Sequence, residues 1–288
     1  MSGRAWTLST VLVAALAAGT ISDVPKPSIA REIGGYHMLA ADFHVHGFPF
    51  TWSTLSPWDT VIEARYQGLD VLTMTPHQHV WAGKVGRWFS QSVDRPLIIV
   101  GQEIVARQYH MIAAGITQTI PRTLSTARAI EEVHRQGGIA IAAHPYGDTW
   151  RVYDAEAMRT LDGAEIVRPE AQHDERMASQ LREFFSRGSL TAIGSSDYHG
   201  FGLLGYCRTY VFARTRTEQG VLDAVREGRT VVFDRDRAYG DPAMIQLMSG
   251  IPEVPRDIPQ LPARGAARLF SRLATLFVLV TILFFNRW

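Results

Sequence analysis

Residues 39–46 read Leu-Ala-Ala-Asp-Phe-His-Val-His, an apolar run that gains polar residues toward its C-terminal end. The run has the length and composition of a buried β-strand. Side chains two positions apart on a strand point to the same side, so His44 and His46 can both reach one bound ion. An isolated pair of this kind is common by chance, so its weight depends on what the rest of the chain places beside it.

Outward from this strand, short apolar runs alternate with stretches of helical periodicity. We predict further strands at residues 69–75, 96–105, 109–116, 139–143, 164–167, 190–194, 208–213 and 230–233. We predict helices at residues 57–67, 124–136, 155–161, 174–187 and 218–227. Repeated strand–helix units favour a mainly parallel α/β domain. A barrel is favoured over an open sheet, because no glycine-rich nucleotide loop follows the first strand.

Side chains that can bind metal recur where one predicted strand after another ends. Asp197 and His199 repeat the spacing of His44 and His46. The other residues of this kind are His77, Glu103, His110 and His144. The C-terminal ends of parallel barrel strands lie on one face, where barrel active sites are found. Imidazoles with carboxylates suit zinc, manganese or iron better than calcium.

Five segments together resemble the motifs of the PHP family, named for polymerase and histidinol phosphatase. They lie at residues 42–46, 68–77, 101–110, 143–145 and 194–199, in the order of the family motifs. The first is similar to its Asp-x-His-x-His motif, and the last is close to its Gly-Ser-Asp-x-His motif. The resemblance implies a distorted (β/α)7 barrel of PHP type that holds two or three divalent metal ions.

The resemblance also implies a set of metal ligands. One ion would be bound by His44, His46, Glu103 and Asp197. A second would share Glu103 and add His110 and His144, and a third would bind His77 and His199. Pro76 stands where the family motif has Asp, and the loop at residues 47–53 lacks the usual Asp or His. We therefore expect a dinuclear centre rather than a trinuclear one.

The activity implied by the resemblance is metal-dependent hydrolysis. We expect a metal-activated hydroxide to attack a small phosphate ester. His199 or His77, where it does not bind a third ion, would protonate the leaving group. Asp42 would orient an imidazole ligand.

The sequence also suggests residues that could contact the substrate. Glu165 lies in a segment that resembles the one presenting another glutamate in the family. Aromatic and cationic residues near the strand ends suit a substrate with a ring and an anionic group; the candidates are Trp52, Trp81, Arg87, Arg151 and Arg168. The alternative is a purely structural role, in which the tryptophans pack the barrel mouth and the arginines form surface salt bridges.

Two other functions stay open. One is a metallohydrolase of a carbamate, amide or carboxylic ester, and the other is a catalytically degenerate, membrane-tethered binding module. A formal net charge of +1 gives no electrostatic case for binding nucleic acid. Cys207 is the single cysteine of the chain, which excludes an intrachain disulfide and a cysteine-rich zinc site.

Both ends of the chain are apolar. We predict a signal peptide or anchor at residues 1–22, a PHP-like domain at 36–235, a proline-rich tail or tether at 236–265 and a candidate transmembrane helix at 266–285. We accordingly expect a membrane-associated protein whose catalytic domain is exported. A domain facing the cytoplasm is the alternative.

Overall fold

The computed structural model describes residues 30–47, 53–148, 150–200 and 202–251, together with Ser28, Thr51 and single residues near both ends. Most of the predicted signal segment, tether and C-terminal apolar segment therefore lies outside the described residues. Within the described part, no helix is long and apolar enough to cross a membrane. On this finding the prediction of a transmembrane helix is wrong, and a membrane partner through it is not supported.

One mixed sheet forms the centre of the molecule. Its strands are β1 (Arg31–Ile33), β2 (Tyr36–Val45), β3 (Val71–Met74), β4 (Leu97–Val105), β5 (His110–Ala114), β6 (Ile139–Ala142), β7 (Gly163–Val167), β8 (Thr191–Gly194), β9 (Thr209–Ala213), β10 (Thr230–Asp234) and β11 (Arg237–Gly240). Across the sheet they follow the order β11-β10-β9-β2-β3-β4-β5-β6-β7-β8, and β1 pairs with β2.

The sheet is less parallel than the sequence predicted. Strands β2 to β4 are parallel to one another, as are β6 to β8. Strand β5 runs antiparallel to both neighbours, because the four residues between β4 and β5 allow only a hairpin. Strand β9 is antiparallel to β2 and to β10.

The sheet nearly closes into a barrel between β8 and β9. The Thr209 hydroxyl donates to the carbonyl of Gly194 at 2.7 Å and accepts from its N–H at 2.9 Å. Beyond β8, the backbone of Tyr198 bonds to His44 of β2 and to His46 directly after β2. The predicted barrel class is confirmed, and the closure places residues 195–199 beside the end of β2.

Helices pack around the sheet. They are α1 (Pro57–Tyr66), α2 (Trp81–Ser90), α3 (Thr126–Arg135), α4 (Ala155–Thr160), α5 (Glu175–Phe185), α6 (Glu218–Arg226) and α7 (Pro242–Ser249), with a 3₁₀ turn at Glu170–Gln172. Residues from α6, among them Val221, join one buried apolar cluster with residues of strands β2 to β6, β8 and β9, such as Phe43, Ile99, Ile141 and Ile193. This cluster fills the barrel below the polar residues at its C-terminal end.

The folded part extends into the predicted tail. Strand β11 and helix α7 lie within residues 236–265, which we had assigned to a tail or tether. The Asp241 carboxylate caps α7 by accepting from the N–H groups of Ala243 and Met244, and Pro242 occupies the first turn. Met244 and Met248 are buried against the core.

Candidate metal centre

Glu103, near the end of β4, lies at the centre of the site. One carboxylate oxygen, Oε1, is 2.9 Å from Nδ1 of His110 and 3.1 Å from Nε2 of His144. The other, Oε2, lies 2.8, 3.4 and 3.6 Å from Nε2 of His77, His44 and His46 respectively. A single buried carboxylate therefore contacts imidazoles from four different segments of the chain.

Asp197, just beyond β8, approaches from the opposite side. Its Oδ1 atom is 3.0 Å from Nε2 of His46 and 3.2 Å from Nε2 of His44. Asp197 and His144 both have positive φ angles, of 48° and 30°. Such backbone conformations are costly and are found preferentially at functional sites, where the surrounding structure enforces them.

The ligand atoms form three overlapping groups, each with its atoms within 4.8 Å of one another. The groups are His44, His46, Glu103 and Asp197; Glu103, His110 and His144; and His46, His77 and His199. The structure thus brings together all eight residues that the sequence suggested as metal ligands.

The donor set fits a divalent metal ion. Nε2 of His44 is buried and makes no hydrogen bond within the part of the chain that the structure describes. Two carboxylate oxygens nevertheless lie 3.2 and 3.4 Å from it. Imidazole nitrogens and carboxylate oxygens that face one another without hydrogen-bond geometry suit a shared cation.

Burial and nearby carboxylates shift the pKa values of these histidines in opposite directions. Burial lowers the pKa of His46 to about 4, which keeps its imidazole neutral near neutral pH, as a metal ligand must be. Burial would lower the pKa of His44 as well, but the carboxylates of Asp197, Glu165 and Glu103 raise it well above its usual value. The site therefore attracts positive charge.

Glu165, on β7, contacts two of the predicted metal ligands. Its Oε1 atom lies 2.8 Å from Nδ1 of His44 and also accepts from the Ser195 hydroxyl. Its Oε2 atom accepts from the backbone N–H of His144 at 2.6 Å. A carboxylate on Nδ1 fixes the tautomer that leaves Nε2 of His44 free to bind metal.

Comparisons with known proteins agree with this geometry. The PHP-associated family model (PHP_C) matches residues 179–230. An uncharacterized protein of Methanocaldococcus jannaschii is 31% identical over 150 residues, which are 44% of this chain and 81% of that protein. The chain belongs to the PHP family. A two-domain crystal structure from Bacteroides vulgatus, described as containing a predicted PHP-like metal-dependent phosphoesterase, shares the fold. It has a TM-score of 0.61 and 21% identity, and the match covers 79% of this chain and 74% of that one.

Asp42, in the first PHP motif, does not orient an imidazole as expected. Its carboxylate accepts from the backbone N–H groups of His44, Ser196 and Gly205 and from the Ser196 hydroxyl. The pairing of β2 with β3 shifts register between Asp42 and Val45, so a bulge breaks the alternation that would put Asp42 and His44 on one side. Asp42 joins the end of β2 to the segment carrying Asp197.

The loop after β2 contacts all three histidines of the third group through its backbone or hydroxyl groups. The Thr51 hydroxyl accepts from the N–H of His77 at 2.8 Å. The Ser53 hydroxyl donates to the carbonyl of His46, and the N–H of Thr54 donates to the carbonyl of His199. These contacts are not apparent from the sequence, where the loop is notable only because it lacks an Asp or His ligand.

The remaining predicted substrate residues do not all lie at the site. Arg87 bonds to Glu218 and to the carbonyl of Ile98, five residues before Glu103 on β4 and so about 16 Å away along the strand. Arg151 is 71% exposed in its side chain and lies 3.6 Å from Asp148, as in a weak surface pair. Trp52 lies outside the described residues.

Two substrate candidates are near the PHP metal centre. Trp81 is 56% exposed at the start of α2, with the Lys84 ammonium 5.2 Å from the centre of its ring. The next residue, Ala82, packs against Gly47, which follows His46. Arg168 is buried and contacts Asp197, one of the predicted metal ligands.

Proposed function

We propose that this PHP protein is a metal-dependent phosphoesterase that hydrolyses a small phosphate ester. The observation that carries the proposal is the convergence of six imidazoles on the carboxylates of Glu103 and Asp197. Two-metal sites of this kind clamp both the attacking and the leaving oxygen of a phosphoryl group. The phosphoesterase description of the Bacteroides vulgatus protein that shares the fold supports the choice of ester.

We further propose two tightly bound ions of zinc, manganese or iron. His46 belongs to two of the three ligand groups, but a neutral imidazole offers a lone pair at only one nitrogen. Once His46 serves the first ion, the third group retains only His77 and His199. The first ion is then held by His44, His46, Glu103 and Asp197, and the second by Glu103, His110 and His144.

Side chains of the protein would supply the proton transfer that the reaction also needs. Divalent ions, when bound, supply Lewis acidity that makes water more acidic and neutralises phosphate oxygens. Nδ1 of His199 lies 2.8 Å from the carbonyl of Asp197, which holds the ring in place. His199 and His77, which bind neither ion in this arrangement, would carry a proton to the oxygen of the departing alcohol.

A substrate screen with defined metal content tests the proposal. Chelated protein is reloaded with zinc, manganese or iron and offered phosphate monoesters, phosphate diesters, carboxylic esters and carbamates. We expect turnover of a phosphate ester, loss of at least about 100-fold in kcat/KM for His144→Ala, and no change for Arg135→Gln, at an exposed arginine of α3. Turnover of carbamates or carboxylic esters alone would show a different hydrolase. Fewer than one bound ion per chain with no activity would indicate a degenerate binding module.

A further inference from the structure

Arg168 follows β7 and reaches into the wall of the metal centre. Only 6% of its side chain is exposed. Its Nη2 atom donates to Oδ2 of Asp197 at 3.0 Å, and its Nε atom donates to Glu170 at 2.6 Å. Two N–H groups of the guanidinium are therefore held, one by a carboxylate of the 3₁₀ turn and the other by a predicted metal ligand.

The two oxygens of Asp197 have different surroundings as a result. Oδ1 faces Nε2 of His46 and His44 at 3.0 and 3.2 Å. Oδ2 faces the guanidinium, and the nearest imidazole nitrogen recorded for it, Nε2 of His144, is 3.9 Å away. Arg168 thus occupies the oxygen that would otherwise be available as a second metal contact.

We propose that Arg168 is a positioning residue that keeps Asp197 a one-oxygen metal ligand and thereby favours zinc over manganese at the first ion position. Zinc commonly takes four ligands, whereas manganese prefers oxygen-rich shells of higher coordination number. Limiting a carboxylate to one oxygen removes a ligand that manganese would use. The proposal rests on the proposed function only in that a divalent ion binds the first ligand group.

Affinity for one metal alone is a poor test. Removing Arg168 also removes a positive charge that repels any cation, and this effect raises the affinity for all divalent ions alike. The ratio of the zinc affinity to the manganese affinity cancels the shared charge effect. It reports the geometry that Arg168 imposes on Asp197.

The experiment measures zinc and manganese dissociation constants of the full chain by competition with a chromophoric chelator. For Arg168→Gln we expect the zinc-to-manganese affinity ratio to fall by about tenfold, the lower end of the usual effect of groups that orient metal ligands. Glu170→Gln should lower the ratio in the same direction but less, because this half-exposed carboxylate acts only through Arg168. Arg151→Gln, at an exposed arginine, is the matched control and should leave the ratio unchanged.

Thermal unfolding of each metal-free variant checks that it is folded, and Glu170→Gln carries the test if Arg168→Gln is not. An unchanged ratio in the folded variants overturns the proposal. The proposal is also overturned if Arg168→Gln leaves the zinc-to-manganese affinity ratio unchanged but weakens the binding of inorganic phosphate to the metal-loaded protein. Arg168 would then be a substrate contact. A changed ratio in a protein that hydrolyses no phosphate ester supports this inference while contradicting the proposed function.

Discussion

Glu165 joins the two halves of the metal centre, because it contacts the ring of His44 and the backbone of His144. Replacing it with Gln should weaken binding of both ions by about 10- to 100-fold, since the amide cannot fix the His44 tautomer as a carboxylate does. Stepwise metal titration of the apoprotein measures both constants. Glu156→Gln, at an exposed carboxylate of α4, is the control. Loss at only one of the two ion positions would contradict the coupling.

Asp42 is a buried carboxylate with a different task, the anchoring of backbone. Asp42→Asn should lower the free energy of unfolding by about 1–3 kcal/mol, because N–H groups that now face a carboxylate would meet a weaker acceptor and an amide donor. Chemical denaturation of the metal-free protein measures this loss. Folded Asp42→Asn should keep its metal affinity within a few-fold. A large loss of affinity without loss of stability would instead favour the role that the motif suggested, orientation of an imidazole.

At the scale of elements, helix α7 shows that the folded part continues beyond residue 235, into the predicted tail. Asp241→Ala should lower the free energy of unfolding by about 1 kcal/mol, because the side chain caps two N–H groups of this helix. Denaturant unfolding measures the effect, with Glu183→Ala, at an exposed position within α5, as the control. A flexible tether would give no difference between the variant and the unaltered protein.

The elements also show what could be predicted from the sequence. The grouping of the candidate metal ligands could be predicted, because most of them lie at or just after the end of an apolar run and their chemistry is readable locally. His110, at the start of β5, is the exception. Helix α2 was missed since Gly83 and Gly86 disfavour a helix. The packing is close at both positions: a Cβ at Gly86 would lie 2.5 Å from the Met74 sulfur, and one at Gly83 would lie 3.1 Å from the Val100 Cα atom, so a larger residue would make these neighbours shift. The contact of His44 with Glu165 spans 121 positions, and the bulge after Asp42 leaves no sequence mark, so neither was accessible.

At the scale of the whole molecule, the metal centre lies across the line where the barrel closes. Its first ligand group takes His44 and His46 from the end of β2 and the residue after it, and Asp197 from the segment beyond β8. Backbone hydrogen bonds from Tyr198 join the same two segments. An ion bound there would have ligands on both sides of the closure, at the end of β2 and beyond β8. Metal binding should therefore stabilise the closed barrel against opening.

The rate at which the Cys207 thiol is labelled can measure how often the barrel opens at that closure. Cys207 is buried, and its backbone carbonyl oxygen lies beside Gly194, where an added Cβ would be 2.6 Å from it. Burial, with nearby carboxylates, raises the pKa of the thiol well above its usual value, so both access and thiolate content oppose reaction with a thiol reagent. Labelling of the native protein should therefore require opening of the barrel.

Zinc should slow that labelling in proportion to its binding. At a free concentration 100 times the dissociation constant, one ion stabilises the folded state by about 2.7 kcal/mol, which corresponds to about 100-fold slower labelling through global opening. The rate is followed with a chromogenic disulfide reagent, in chelated and in zinc-buffered protein. Asp197→Asn, which removes a ligand at the closure, should reduce the protection. Equal rates with and without zinc would mean that the metal centre does not hold the two sides of the barrel together.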